Sequence, residues 1–130
     1  MKAKKIWANF SVKDAQRTHQ FYTQLGFTPN NTNNFPKLAS FLYGDDNFVI
    51  HFFEQGSQID EYLPAGVSSE IMFTLSAETE AEVNEWEDKV RKAGGTILRN
   101  AGRDEANYYG LTFADPDGHR FNVLLMEKGM

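Results

Sequence analysis

The sequence contains no cysteine, which removes disulfide frameworks, thiolate metal sites and cysteine nucleophiles together. Basic charge is also scarce: 13 Lys and Arg against 18 Asp and Glu leave a formal charge of -5. The only basic cluster is Lys2, Lys4 and Lys5, so no positive field is available to hold a phosphate backbone. The N-terminus has no apolar run long enough for a signal peptide. The expected address is therefore the cytoplasm, with neither nucleic acid nor membrane as a partner. Asn30-Asn31-Thr32 matches a glycosylation sequon, but without a secretion signal it reads as loop chemistry. No G-x-S-x-G, phosphate loop, Rossmann glycine set or H-E-x-x-H occurs. What is present is apolar material, 41% hydrophobic and 14% aromatic over 130 residues, enough for one compact core or two small fused modules.

The hydrophobic pattern runs in two matching halves. IWANFSV alternates, with Ala8, Phe10 and Val12 on one face and Trp7, Asn9 and Ser11 on the other, as a half-buried strand does. Asp14 stands at a helix N-cap position, Thr18, Phe21, Tyr22 and Leu25 follow at helical spacing, and Gly26 closes the helix. Thr28 opens a short strand, and KLASFLYGDDNFVIHFFE reads as two strands around a Gly-Asp-Asp-Asn turn. Residues 56–69 have the Gly, Pro and Ser content of a connector. EIMFTL then alternates again, Ser76 or Thr79 caps a helix carrying Val83, Trp86, Val90 and Ala93, and Gly94-Gly95 ends it. Acids gather at the start of that helix and Lys89, Arg91 and Lys92 at its end, as its dipole prefers. TILRN, YYGLTFA and HRFNVLLME complete a second β-α-β-β-β unit. The expectation is an α+β protein built by internal duplication: a single domain over 1–130, with modules at 1–55 and 70–130 and a linker at 56–69.

VKD at 12–14, FYTQLGF at 21–27, AGG at 93–95 and YGLTFADPDGH at 109–119, in this order around two such units, resemble the vicinal oxygen chelate superfamily of glyoxalases, extradiol dioxygenases, and fosfomycin and bleomycin resistance proteins. The resemblance implies paired modules whose curved mixed sheets form a cavity, often in a homodimer. It also implies four metal-ligand positions, one on the first and one on the last strand of each module. Counting from the motifs of this sequence, those positions fall on Trp7, His51, Glu70 and Asn122.

Asn122 is the polar residue that shares its strand face with Leu124 and Met126, and the resemblance puts it at a metal-binding carboxylate position. A neutral amide oxygen is a weak ligand for a first-row divalent cation, and an indole is none. Only His51 and Glu70 are good ligand types, and a tight site normally needs three or four. Three functions follow from the resemblance. The favoured one is a small-molecule binding protein with no metal cofactor, lined by Trp7, Asn9, His51, Arg99, Tyr109 and Asn122. The alternative is a lyase or isomerase of the glyoxalase kind, with Ni, Co, Zn or Mg on His51 and Glu70, and Glu70 moving protons as the catalytic residue. An extradiol dioxygenase needs two histidines and a carboxylate, and only one histidine stands at a ligand position. Ser11, Thr74 and Tyr108 are further lining candidates. His51 is otherwise a partly buried histidine bonded to backbone, and Glu70 an exposed strand-start residue. His119 reads as a solvated turn residue, and His19 lies on the polar side of its helix.

Overall fold

In the computed structural model, which describes residues 2, 5–31, 37–63 and 71–127, the first module begins with strand β1 (Ala8–Val12) and helix α1 (Ala15–Gln24). Asp14 ends the strand and starts the helix because its carboxylate accepts from the amides of Gln16 and Arg17 at 3.0 and 3.1 Å. Glu54 adds a second acceptor, taking the Ala15 amide at 3.0 Å. Gly26 ends the helix with φ +97°. There the Phe27 amide reaches the Tyr22 carbonyl at 3.1 Å and the Gly26 amide reaches Thr23 at 3.0 Å, the paired bonds of a Schellman cap.

Strands β2 (Thr28–Pro29), β3 (Leu38–Tyr43) and β4 (Phe48–Glu54) follow, and the sheet runs β1-β4-β3-β2 with only β1–β4 parallel. Helix α1 covers one face. Tyr22 stacks on Phe52 with centroids 4.8 Å apart and also meets Phe41 at 5.6 Å. Val12, Phe21, Tyr22, Phe41, Ile50 and Phe52 are all essentially inaccessible. The connector read from the sequence contains a short 3₁₀ helix, Gln58–Glu61, whose Ile59 is buried.

The second module repeats the order: β5 (Met72–Ala77), α2 (Glu80–Ala93), β6 (Thr96–Arg103), β7 (Tyr109–Ala114) and β8 (Arg120–Leu125), in sheet order β5-β8-β7-β6. Thr79 is the N-cap of α2, accepting from Glu82 at 3.1 Å. Gly94, at φ +96°, closes the helix in the same way as Gly26. The chain divides into two compact units, Met1–Val67 and Ser68–Met130. Among the described residues no helix is long and apolar enough to cross a membrane.

One sequence expectation changes. His119 is not solvated: it is 2% exposed. The Asp115 carboxylate accepts the amides of Asp117 and His119, each at 2.9 Å, and the Asp115 amide donates to the His119 carbonyl at 2.8 Å. The turn thus folds back on its own aspartate and carries His119 inward. Trp86 lies over Phe113, centroids 6.1 Å apart, but is only partly buried, whereas Phe21 is 1% exposed. Phe21→Ala is expected to cost about 3–5 kcal/mol and Trp86→Ala distinctly less. Gly110→Ala should cost about 1–3 kcal/mol, since an added methyl would overlap the Val123 carbonyl oxygen. Urea unfolding of the three variants measures each loss.

Candidate functional site

Strand pairing carries the first module's polar residues to one level of its sheet. Asn9 of β1 pairs with His51 of β4, and His51 pairs with Ser40 of β3. Ser40 lies beside Asn30, whose amide donates to the Ser40 carbonyl at 2.9 Å. Directly paired residues share a face, and alternation puts this row on the face away from α1, since its neighbours Ile50, Phe52 and Phe41 are buried toward the helix. Side chains join the row. Asn30 Nδ2 donates to Ser40 Oγ at 3.1 Å, and Ser40 Oγ lies 2.8 Å from His51 Nδ1. A Ser40 hydroxyl that donates to Nδ1 leaves the single proton of the neutral imidazole on Nε2.

A hollow of about 480 Å³ opens at this row. Asn9, His51 and Phe53 line it from the sheet, Trp7 from just before β1, and Gln58, Ile59, Tyr62 and Leu63 from the segment after β4. A smaller hollow of about 240 Å³ shares Trp7 and His51 and adds Lys5, Asn30 and Val49. Sequence reasoning missed Ser40, Asn30 and the 58–63 segment. The available signals were a lone serine between Ala39 and Phe41, and Ile59, Tyr62 and Leu63 inside an otherwise polar connector.

The second module has the matching row. Thr74 pairs with Asn122, Asn122 with Thr112, and Thr112 with Arg99. The Thr112 hydroxyl donates to Asn122 Oδ1 at 2.9 Å, as Ser40 meets His51. The turns agree as well: Asn47 (φ +55°) bonds back to Gly44 and Gly118 (φ +91°) to Asp115, and each stands four residues before its row member, His51 or Asn122. Val12 accepts the Gln55 amide and Ala77 the Met126 amide, both at 2.8 Å, which makes Val12 and Ala77 equivalent. By that register Trp7 corresponds to Met72. Glu70 lies outside the described residues. Tyr109 is not in the row, because its hydroxyl donates to Asn84 of α2 at 2.6 Å, on the helix-covered side of the sheet. Tyr108 is 43% exposed beyond the end of β7.

A family model described as "Glyoxalase/Bleomycin resistance protein/Dioxygenase superfamily" matches residues 6–123. The chain belongs to that superfamily. Among solved structures it is similar to hypothetical protein SA1046 from S. aureus, at 28% identity and TM-score 0.83, covering 97% of this chain and 96% of that one. It is also similar to a glyoxalase-related enzyme from Fulvimarina pelagi (21% identity, TM-score 0.79, 95% and 89% covered). A third is the fosfomycin resistance protein FosX from Mesorhizobium loti (16% identity, TM-score 0.70, 98% and 96% covered). At their identities the last two show the fold alone. No curated protein matches the chain.

The divalent metal used by members of the glyoxalase superfamily does not fit the described donor set. Of the equivalent register positions Trp7, just before β1, and His51, Met72 and Asn122, only His51 offers a good ligand. The indole has no lone pair to give, the thioether suits soft ions, and the Asn122 oxygen already accepts a hydroxyl. Among the described residues no group of three or more His, Asp or Glu is placed to hold a metal ion. In this superfamily member His51 has a different character: burial pushes its imidazole below the ordinary 6.5, and the charge on Lys5 acts in the same direction. It is therefore neutral at pH 7. Below about pH 6.5 the unfolded chain binds the proton more readily than the folded one. Stability is then full above that value and lost as pH falls through the lowered pKa. His51→Gln should flatten this limb of the curve, as read from urea unfolding at several pH values.

Proposed function

We propose that the chain is a small-molecule binding protein that uses the first module's hollow without a resident metal. One observation carries this reading: a space of about 480 Å³, of the size that encloses a drug-sized ligand, opens at a hydrogen-bonded polar row that retains a single good metal ligand. Exposed apolar side chains support it, with Trp7 at 48%, Tyr62 at 73% and Leu63 at 37% exposure, all lining that hollow. Asn9 and His51 supply the few polar groups that orient a ligand. Arg99 and Asn122 belong to the second module's own row and are proposed as ligand contacts of that module. The glyoxalase-type lyase reading, with Glu70 as its proton-moving residue, has no comparable support. A homodimer in the cytoplasm is part of the same proposal, because Met72 and Met126, 50% and 47% exposed, leave apolar surface for a second copy to cover.

Calorimetric titration of chelator-treated protein with neutral naphthalene-sized probes tests the reading. One probe should bind per chain, and Tyr62→Asp with Leu63→Asp, both at exposed positions, should weaken it by roughly tenfold or more. Binding that ignores these substitutions would place the site elsewhere, and binding that requires added Ni, Co or Zn would return the metal-dependent reading to first place.

A further inference from the structure

The charge at the two first-module hollows is unlike that of the chain as a whole. The sequence carries 18 acids against 13 bases, yet among the described residues no Asp or Glu lines either hollow, and Lys5 lines one of them. Trp7 and His51 line both hollows. One end is apolar, with Phe53, Ile59, Tyr62 and Leu63. The other holds His51, Asn30 and Lys5.

The hydrogen bonds at the polar end are directed. Ser40 is 3% exposed, and its oxygen takes the Asn30 proton and stands 2.8 Å from His51 Nδ1. When Ser40 donates to Nδ1, the imidazole proton is on Nε2 and His51 offers a ligand a donor. Lys5 and His51 line this end together, so the positive charge there is that of Lys5. Among the described residues a ligand group here meets the imidazole and the Lys5 cation, and no carboxylate.

We propose that these two hollows together bind a flat, largely apolar molecule bearing an anionic oxygen group, of the aromatic carboxylate class. The ring system lies toward Phe53 and Tyr62, and the carboxylate accepts from His51 Nε2–H near Lys5. This rests on the small-molecule reading above and adds the head-group chemistry. Ser40 acts through His51 and is a positioning residue: it fixes which nitrogen carries the proton.

Three probes of one shape test it by calorimetry on the metal-free full chain: 2-naphthoate, 2-naphthamide and 2-naphthylmethylammonium. The carboxylate should bind roughly tenfold or more tighter than the ammonium. Ser40→Ala and Lys5→Gln should each shrink that ratio several-fold, and Ser40→Thr, which keeps a hydroxyl, should restore it. Added salt should weaken the Lys5 share of the preference. An ammonium probe that binds as well as the carboxylate, or a ratio that neither substitution changes, overturns the head-group proposal while leaving the pocket standing. If no probe binds, the small-molecule reading fails and this one with it.

Discussion

Tyr22 of α1 lies almost flat on Phe52 of β4, with centroids 4.8 Å apart and planes 24° from parallel, and the chemistry of the first module depends on that stack. Phe10 lies on the same ring at 5.7 Å, so Phe52 is held from the helix and from the neighbouring strand. A strand has period two, so fixing Phe52 under the helix sends His51 and Phe53 to the other face. A slip of one residue would bury an imidazole beneath α1 and expose a phenyl ring in its place, which strand pairing with a buried face does not allow. Register therefore acts here as site construction. Once Phe52 is placed, Asn9, His51, Ser40 and Asn30 must fall into line.

The second module obeys the same constraint with other residues. Phe113 stacks on Phe121 at 5.4 Å and under Trp86 at 6.1 Å, which turns Asn122 and Thr112 to the opposite face. The geometry of a hydroxyl bonded to a polar side chain on the last strand is retained in both halves. The chemistry is not: an imidazole that can hold or offer a proton stands in one, and an amide that cannot titrate stands in the other. Duplication has preserved the scaffold while the side chains at its matched positions have diverged, which is how a common fold hosts unlike functions.

Much of this was legible because alternation, caps and turn residues are local signals. Asp14, Gly26, Thr79 and Gly94 mark helix ends that the structure reproduces, and the matching of Gly-Asp-Asp-Asn to Asp-Pro-Asp-Gly located His51 and Asn122 on equivalent rungs. Local spacing is irregular in one strand pair. The register of β6 on β7 shifts between Ile97 and Arg99, which lets Ile97 pair with Phe113 and Arg99 with Thr112, and no alternation rule anticipates that step. The equivalence of Trp7 with Met72 came from backbone hydrogen bonds of Val12 and Ala77, which sequence motifs do not contain. His119 was misread because a histidine after a Pro-Gly turn is usually wet, and only the fold-back onto Asp115 makes it buried. Ser40 and the 58–63 segment were missed for a different reason: their role is a matter of which strand or turn packs beside them in space.

Strand register delivers His51 to the first-module hollow, and the proposed ligand contact requires Ser40 to donate to Nδ1 so that Nε2 carries the imidazole proton. Nitrogen-15 NMR of the histidine side chains in chelator-treated protein at neutral pH reads that state directly. His51 should show a single neutral tautomer with Nε2 protonated, and a drift toward mixed tautomers when Ser40 is replaced by Ala. A His51 protonated on Nδ1, or on both nitrogens, would contradict it.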